Sequence, residues 1–445
     1  MIAEALGLIL VGTSLVVFIW AFYHIPIIIA GFNNLQRSRK KTSTKTNPKT
    51  TPSFLIVAPV KNEEKVIARL LSSLSNLNYP THKKEILIVE DGSTDRTLEL
   101  CLNYAKEHPE TKILHRSSSN GKSSALNYAV RQSKADLVAI FDADNIPDRN
   151  VLNAVVKYFD DPTVAAVQGK TLSVNPRQNM LTRFISYEEA VWCEVYLRGK
   201  DVLNLFVHLK GSCQFIRRNI VEKLKGFNEK VLSEDVEISA RITKNNYRIR
   251  YASDVVAWQE SPSTLKALFR QRTRWFRGIT ELSFKYGTLL GKPNWKNLDA
   301  EATLFAPFML VASLLPYLAT FSTFFSTFPI NIAWSYILQF AALTTSITLL
   351  VFGLALAYAT RPIKMKNVLW LPFIYFYWSL QAFIAFYAML LIALRRPRKW
   401  MKTEKTGVVS SESMDMFAVL PDAQVQNLVV SLPEEGETLN DNNYE

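Results

Sequence analysis

The chain has 445 residues, of which 48% are hydrophobic and 20% are charged, and its formal net charge is +13. This length allows two or three domains, and the positive charge favours an anionic partner such as nucleic acid, a membrane surface or a phosphate-bearing substrate. The three cysteines, Cys101, Cys193 and Cys213, have neither paired nor metal-ligand spacing. They therefore argue against a disulfide framework and fit a reducing compartment.

Apolar residues are concentrated in four blocks. The first, Ile2 to Tyr23, has one early acid and no small-residue cleavage site, and it is long enough to cross about 30 Å of hydrocarbon. We therefore predict an uncleaved transmembrane helix there. The other blocks follow a long stretch of soluble character, and they run from Ala302 to Phe325, from Ile332 to Thr360 and from Val368 to Leu394.

The distribution of Lys and Arg predicts the orientation in the membrane. Gln36 to Thr50 contains six basic residues and no acid, which places the soluble domain in the cytoplasm. The stretch Arg395 to Lys405 is also basic and favours the same side. An odd number of later spans would place it outside, so the last block, which contains Pro372 and Gln381, is interpreted as a re-entrant or interfacial segment.

The soluble stretch alternates strand and helix patterns four times. The strand patterns are SFLIVAP, EILIV, KILHR and DLVAIF, and polar residues that open a helix pattern follow the first three. This alternation predicts a parallel sheet covered by helices, in which ligands bind at the carboxyl ends of the strands.

Two carboxylates, Asp142 and Asp144, follow the strand pattern that ends at Phe141. At a strand end this spacing can direct both toward one divalent cation, and oxygen ligands suit Mg²⁺ or Mn²⁺. A turn rich in Asp is the structural alternative. The earlier pair Glu90 and Asp91 is equally consistent with a helix-capping region.

Two further polar clusters lie at predicted helix starts. Lys122 follows a glycine where phosphate groups bind favourably, although a solvated lysine is the commoner outcome for such a pair. Ser233 is a helix-cap candidate followed by Glu234, Asp235 and Glu237. Helix-dipole complementation explains one or two of these acids, and another could serve as a general base.

The stretch LFRQRTRWFRG begins at Leu268, about twenty-five residues before the second apolar block. Helical spacing puts Gln271, Arg274 and Trp275 on one face. An arginine can bind a diphosphate with two hydrogen bonds, and a tryptophan can stack on a sugar ring. A basic interfacial helix with an aromatic anchor is the alternative. The remaining arginines, Arg270, Arg272 and Arg277, are assigned to the lipid surface and to local pairing.

The motifs APVKNEE, EDGSTD, NGKSSALN, DAD, SED and QRTRW occur in this order between Phe54 and Gly278. Their order and spacing resemble the membrane-integrated branch of glycosyltransferase family 2. That branch includes cellulose, hyaluronan, chitin and poly-N-acetylglucosamine synthases and some glycolipid glucosyltransferases. The resemblance implies an α/β fold of the GT-A type, with a doubly wound, mostly parallel sheet that binds a nucleotide sugar, flanked by transmembrane helices. The family usually has Thr where this chain has Ser233.

The resemblance also implies roles for individual residues. The implied substrate-binding residues are Pro59, Asn62 and Glu63 at the first strand end, Asp91 on uracil, Lys122 near the diphosphate, Asp142 facing the nucleotide sugar, and Gln271, Arg274 and Trp275 at the diphosphate and acceptor. Asp144 is the implied ligand of a Mg²⁺ or Mn²⁺ ion, and Asp235, beside Glu234, is the implied catalytic base. Lys210 to Arg218 resembles a segment lining the acceptor pocket, and Lys399 to Gly407 resembles a Trp-x-Lys-Thr segment that follows the last membrane helix in relatives.

We predict six regions along the chain. They are an N-terminal transmembrane helix (1–35), a basic linker (36–50), a cytoplasmic GT-A catalytic domain (51–260), interfacial helices with the QRTRW motif (261–300), a C-terminal transmembrane cluster (301–396), and a basic juxtamembrane segment with an acidic, disordered tail (397–445).

The expected activity is metal-dependent, inverting transfer from a UDP-sugar to a growing β-linked polysaccharide, with a membrane-lipid acceptor as the alternative. A catalytically inactive membrane-anchored binding protein is a rival, disfavoured because both Asp144 and Asp235 are present. Nucleic acid is not an expected partner, since the basic residues cluster beside membrane segments and no reader motif occurs. The expected location is the plasma membrane, crossed several times, with the lipid bilayer as a partner.

Overall fold

The computed structural model describes residues 2–40, 51–287, 294–315, 371–398 and 402–409, with the pair 430–431 and five single positions between 339 and 369. The helices are α1 (Ile2–Lys40), α2 (Ile67–Ser75), α3 (Thr97–Glu107), α4 (Lys122–Arg131), α5 (Val151–Val156), α6 (Met180–Val191), α7 (Arg198–Val202), α8 (Arg218–Lys223), α9 (Glu234–Lys244), α10 (Leu265–Tyr286), α11 (Trp295–Leu304), α12 (Ala306–Ala312) and α13 (Leu371–Ala393). The strands are β1 (Phe54–Val60), β2 (Lys84–Asp91), β3 (Thr111–Arg116), β4 (Leu137–Ile140), β5 (Ile146–Pro147), β6 (Val164–Ser173), β7 (Gln214–Arg217), β8 (Arg248–Gln259), β9 (Val408–Val409) and β10 (Val430–Ser431).

Eight strands form one sheet in the order β3-β2-β1-β4-β7-β6-β8-β5. The pairs β2/β3, β1/β2, β1/β4 and β6/β8 are parallel, whereas β7 pairs antiparallel with both β4 and β6, and β5 with β8. The four strands predicted from the sequence are the parallel half of this sheet. The expected GT-A type α/β fold with a mostly parallel sheet is therefore confirmed.

The sheet is buried on both faces by helices. Successive residues of a strand point to opposite faces, so Ile56 belongs to the cluster that includes Leu70 of α2, while its neighbour Leu55 belongs to the cluster that includes Leu126 of α4. Burying each such side chain stabilises the fold by roughly 1.5–3 kcal/mol. Because both faces of the sheet are covered, the strands appear in the sequence as continuous apolar runs.

The carboxyl ends of β1 to β4 meet at one edge of the sheet. Val60 at the end of β1 lies beside Glu90, and Asp91 at the end of β2 lies beside Arg116 at the end of β3. The polar residues that follow each strand are thereby brought together, as the alternating pattern predicts.

Helix α1 continues without a break to Lys40, so residues 36–40, placed in a linker from the sequence, are helical. Its second half packs on the catalytic domain, where Gly31 crosses Gly199. A Cβ atom on Gly31 would lie 1.8 Å from the carbonyl oxygen of Val195. Only glycine permits so close an approach of two backbones.

Helix α13 is also continuous, and Pro372 lies at the start of the helix as described. The helix begins at Leu371, so Pro372 lies in its first turn, where proline is tolerated because its missing N–H would have no helical partner. In the described part of the chain, α1 from Gly12 and α13 from Phe376 are long and apolar enough to cross a membrane. Residues 316–325 of the block from Ala302 to Phe325, and most of the block from Ile332 to Thr360, lie outside the described residues.

Residues 402–409, which we call the 402–409 segment, lie against the catalytic domain. Val409 packs with Ile146 and Val174, and β9 pairs in parallel with β10. The segment is therefore on the same side of any membrane as the catalytic domain, as expected from its charge. The rest of the acidic tail, predicted to be disordered, lies outside the described residues.

Candidate active site

The turn after β1 joins the turn after β2. Asn62 has a positive φ of 54°, a conformation that Asn adopts more readily than most residues. Its side-chain oxygen accepts a hydrogen bond from the Thr94 amide at 2.7 Å, and its own amide donates to the hydroxyl of Ser93 at 2.9 Å. Asn62 thus holds the two turns together, and Pro59 lies within β1 just before it.

Glu63 is the next residue and reaches toward the 402–409 segment. Its carboxylate lies 3.2 Å from the ammonium of Lys402. Burial raises the pKa of Glu63 to about 7, and the charge of Lys402 opposes that rise.

Both carboxylate oxygens of Asp91 accept hydrogen bonds from neighbouring residues. One carboxylate oxygen binds the guanidinium of Arg116, and the other accepts hydrogen bonds from Ser119 at 2.6 Å and from the Gly121 amide at 3.2 Å. A carboxylate offers about four acceptor positions. In this structure Asp91 therefore fixes the loop that leads from β3 into α4.

Lys122, the first residue of α4, connects three parts of the site. Its ammonium donates to Asp142 at 2.6 Å and to the carbonyl oxygen of Gly211 at 2.8 Å, and it lies 3.6 Å from Glu234. Burial alone would lower the pKa of Lys122, but the carboxylates of Asp142 and Glu234 raise it above its usual value. The lysine is charged, and it is not the solvated loop lysine of the alternative interpretation.

Asp144 is buried and carries an ion pair. Its Oδ2 atom accepts hydrogen bonds from the ammonium of Lys405 at 2.6 Å and from the Glu260 amide at 2.9 Å. Burial would raise the pKa of Asp144, but Lys405, together with Arg69, holds it below its usual value. The carboxylate predicted to bind a divalent ion thus has a cation from the 402–409 segment beside it.

The carboxylates of Asp142 and Asp144 are of a chemical type that fits a divalent ion. Asp142 and Asp144 supply the oxygen ligands that Mg²⁺ and Mn²⁺ prefer. Among the described residues, no group of three or more His, Cys, Asp or Glu side chains is arranged to hold a metal. Asp142 and Asp144 could therefore contribute part of the coordination of such an ion.

Asp235 lies in the first turn of α9, next to Glu234. Its carboxylate accepts a hydrogen bond from the Val236 amide at 2.8 Å. Gly211 has a φ of +82°, and a Cβ atom there would lie 3.1 Å from Asp235 and 3.2 Å from Lys122. Burial and the adjacent Glu234 raise the pKa of Asp235 to about 7, which suits a proton acceptor near neutral pH.

Helix α10 brings its central residues to the same place. Gly278 packs directly against Ser233, just before Asp235, because a Cβ atom on Gly278 would lie 2.1 Å from the Ser233 hydroxyl. Arg274 and Trp275 precede Gly278 by four and three residues and so share its face. The charge of Arg274 acts on Asp235 and opposes its raised pKa. Gln271 lies one turn earlier on this helix.

The other arginines of α10, predicted to lie at the lipid surface and to pair locally, differ in role. Arg277 has a local ion pair with Glu281 at 3.0 Å, whereas the partner of Arg272 lies on α6. The side chain of Arg272 is 12% exposed and binds Glu188 at 2.5 Å. Arg277 is buried and donates to the carbonyl oxygens of Arg396 and Pro397, just beyond α13. The side chain of Arg270 is more exposed, at 36%, and forms an ion pair with Glu404 at 3.3 Å.

The sequence profile described as "Glycosyltransferase like family 2" matches residues 52–278, slightly more than half of the chain. The chain belongs to glycosyltransferase family 2. The match extends beyond the predicted boundary at residue 260 and includes the QRTRW motif on α10.

Relatives of this family 2 glycosyltransferase differ in their acceptors. The chain is 32% identical over 275 residues to the probable glycosyltransferase YdaM of Bacillus subtilis, which covers 61% of this chain and 66% of that protein. It is 30% identical over 272 residues to the beta-monoglucosyldiacylglycerol synthase of Synechocystis sp., and the match covers 60% of this chain and 56% of that protein. It is 29% identical over 222 residues to the poly-beta-1,6-N-acetyl-D-glucosamine synthase of Staphylococcus aureus, and the match covers 50% of this chain and 53% of that protein. The match thus spans about half to two thirds of these relatives.

A solved structure with the same fold is the mannosyltransferase PcManGT from Pyrobaculum calidifontis, in complex with GDP-Man and Mn²⁺. It superposes with a TM-score of 0.56 at 22% identity, over 87% of this chain and 100% of that one. At this identity the likeness concerns the fold alone.

Several residues of this family 2 site were not predicted from the sequence. Glu260 follows the end of β8, and its carboxylate accepts hydrogen bonds from Thr406 at 2.5 and 2.8 Å and from the Gly407 amide at 3.0 Å. Arg69 binds the same carboxylate at 3.2 Å. The one signal for Glu260 is its position directly after a strand, the same signal that points to Asp91 and Asp142.

Proposed function

We propose that this family 2 glycosyltransferase moves a sugar from a UDP-sugar to an acceptor hydroxyl at a membrane, with inversion at the anomeric carbon. The observation that carries the proposal is the position of Asp235. A carboxylate with a pKa near 7 lies against Gly211, within reach of Lys122, and beside the charge of Arg274. A proton acceptor and two cations are the groups that such a transfer needs.

In the proposed reaction, Asp235 removes the proton from the acceptor hydroxyl. The hydroxyl oxygen forms a bond to the anomeric carbon while the bond from that carbon to the diphosphate oxygen breaks. The bonding electrons leave with UDP, whose negative charge Lys122 and Arg274 stabilise. Attack from the face opposite the leaving group inverts the configuration.

Asp142 and Asp144 are the residues that would hold a Mg²⁺ or Mn²⁺ ion together with the diphosphate. When bound, such an ion neutralises charge on the leaving group. Asn62, Glu63 and Asp91 shape the adjacent loops that would receive the nucleotide, and Pro59 lies within β1 just before them.

The acceptor is proposed to be a growing β-linked polysaccharide, for which Trp275 would supply a stacking surface at the helix face that meets Asp235. A membrane lipid is the second candidate. The longer match to the beta-monoglucosyldiacylglycerol synthase, 272 residues against 222 for the polysaccharide synthase, favours it.

The proposed location is a membrane crossed by α1 and α13, with the catalytic domain in the cytoplasm. Support comes from the two long apolar helices and from the six basic residues between Gln36 and Thr50. The further spans expected from the sequence fall mostly outside the described residues, and a multi-pass arrangement stays part of the same proposal.

The proposal is tested with the full chain purified in detergent and supplied with Mn²⁺ and, in turn, UDP-glucose, UDP-N-acetylglucosamine and GDP-mannose. Acceptors are dioleoylglycerol vesicles and cellopentaose or chitopentaose. We expect wild-type protein to release UDP and extend an acceptor, and Asp235→Asn and Arg274→Ala to lose most of this activity. No release from any donor, or equal release by all three proteins, would contradict the catalytic proposal. A lipid-extractable product identifies the glycolipid reaction, and a long saccharide identifies the polymerase.

A further inference from the structure

We propose that Arg272 is a positioning residue that fixes the indole ring of Trp275 and ties it to membrane helix α13. The inference rests on the proposed function, because it concerns how the acceptor surface is held. The centre of the Arg272 guanidinium lies 4.4 Å from the centroid of the Trp275 ring, within the range of a cation–π contact.

Arg272 is itself held by two other helices. Its guanidinium donates to Glu188 of α6 at 2.5 Å and to the hydroxyl of Tyr377 of α13 at 3.3 Å. The Tyr377 hydroxyl also donates to Glu188 at 2.7 Å. Three side chains from three helices therefore form a closed set of contacts, and the ring of Trp275 lies against the arginine.

The set lies in an apolar environment. The side chain of Arg272 is 12% exposed, and Tyr377 is 5% exposed in a cluster with Phe184 of α6 and Leu268 of α10. A buried ion pair contributes little net stability, and in some proteins it selects one arrangement among several. Here the arrangement selected is that of the indole ring.

The geometry requires arginine. A guanidinium is planar and can stack on an indole face while its N–H groups donate sideways to a carboxylate and a hydroxyl. A lysine ammonium could keep the ion pair with Glu188, but it has no plane to stack. Arg272→Lys therefore keeps the positive charge and removes the planar group, so it tests the positioning of Trp275 apart from the charge.

The position of Trp275 can be read without turnover. Protein labelled with 5-fluorotryptophan gives ¹⁹F signals for its nine tryptophans, and the Trp275 signal is assigned by its loss in Trp275→Phe. We expect this signal to shift in Arg272→Lys, Glu188→Gln and Tyr377→Phe. The last two change one atom or group each, so they test the idea even if a change at Arg272 impairs folding.

Matched controls lie on the same two helices. The side chain of Arg270 is 36% exposed and pairs with Glu404, and Tyr387 is 41% exposed, so Arg270→Lys and Tyr387→Phe should leave the Trp275 signal in place. An unchanged signal in all three test variants, or an equal shift in the controls, would overturn the inference.

A kinetic comparison supplies the second readout. With dioleoylglycerol vesicles or cellopentaose, whichever supports transfer, we expect Arg272→Lys to raise the acceptor KM about tenfold. Binding of UDP with Mn²⁺, measured by calorimetry, should stay within about twofold of wild type. A fall in UDP affinity with an unchanged acceptor KM would overturn the inference. A wild-type protein that transfers nothing would refute the proposed function, and the ¹⁹F signals would still report on Arg272.

Discussion

The ammonium of Lys405 lies 2.6 Å from Oδ2 of Asp144, the carboxylate that the DAD motif offers to a divalent ion. Lys405 also donates to the carbonyl oxygen of Glu260 at 2.9 Å. A cation from the 402–409 segment therefore interacts with an atom that a metal ion would need. Two cations cannot approach one oxygen closely without strong repulsion, so the segment and a metal ion should compete.

The first prediction concerns this competition. Lys405→Met removes the charge and keeps the length of the side chain, so Mn²⁺ affinity in the absence of nucleotide should rise at least about tenfold, or about 1.4 kcal/mol. The measurement is titration of the full-length protein with Mn²⁺, followed by electron paramagnetic resonance of the free ion.

Lys402→Met is the matched control, since Lys402 pairs with Glu63 at 3.2 Å and not with Asp144. We expect it to change Mn²⁺ affinity much less. Equal affinities for Lys405→Met and wild type would mean that the ion does not use Asp144 or does not displace Lys405.

The second prediction concerns the pH dependence of transfer. Asp235 accepts a proton only when it is ionised, and its pKa is raised to about 7. Activity should therefore fall about tenfold per pH unit below pH 7 and level off above it. The profile of kcat/KM between pH 5 and 9 measures this.

Asp235→Asn should reduce kcat by about 10²–10⁴-fold across this range and remove the acid limb. Asp254→Asn is the control, because Asp254 is an exposed carboxylate that pairs with Lys157 on the surface. A flat profile in wild type would argue against Asp235 as the base.

The third prediction concerns stability. The pKa of Asp235 is higher in the folded protein than the usual value of 3.8, so ionisation of this group opposes folding. The loss of stability begins as pH rises above about 4 and is complete above about 7. Asp235→Asn removes this loss and should raise Tm by a few degrees at pH 8, with a smaller rise at pH 5. A thermal-shift series at several pH values measures it, and a Tm lowered at pH 8 would contradict the prediction.

The fourth prediction concerns the crossing of α1 and the catalytic domain. Gly31→Ala would place a Cβ atom 1.8 Å from the Val195 carbonyl oxygen, so the helices must separate. Because overpacking typically destabilises by about 1–3 kcal/mol, Tm in detergent should fall by several degrees.

Gly12→Ala is the matched control in the same helix, since nothing lies within 4 Å of a Cβ atom there. It should leave Tm unchanged or raise it slightly, because alanine favours a helix over glycine. A similar fall in both variants would show that the crossing is not the cause.

Much of this site could be predicted because its residues lie close to strand and helix ends. Asp91 and Asp142 lie at or just after strand ends, and the parallel pairing of β1, β2 and β4 brings those ends to one edge. Lys122 and Asp235 lie at helix starts beside that edge. Local sequence patterns predict where the strands and helices end, and the parallel pairing of the strands then brings those ends together.

Long-range contacts could not be predicted in the same way. Nothing around Lys405 in the sequence indicates that it meets Asp144, 261 residues earlier. Arg272 is one of four arginines in eleven residues, and only the packing of α6 and α13 distinguishes it from the more exposed Arg270. Such roles depend on which helix packs where, and charge spacing along one helix does not determine that.

The contacts of Arg277 connect the end of α13 to α10, the helix that carries Arg274 and Trp275. Arg277 donates to the carbonyl oxygens of Arg396 and Pro397, and Lys402 reaches Glu63 five residues later. Five residues of extended chain cover at most about 18 Å. The end of α13 and the residues that bind the carboxylates of the site are thus joined by a short stretch of chain. Because the two hydrogen bonds of Arg277 join the end of α13 to the helix that carries Arg274 and Trp275, a shift of α13 by one turn, about 5.4 Å, would either break them or move α10.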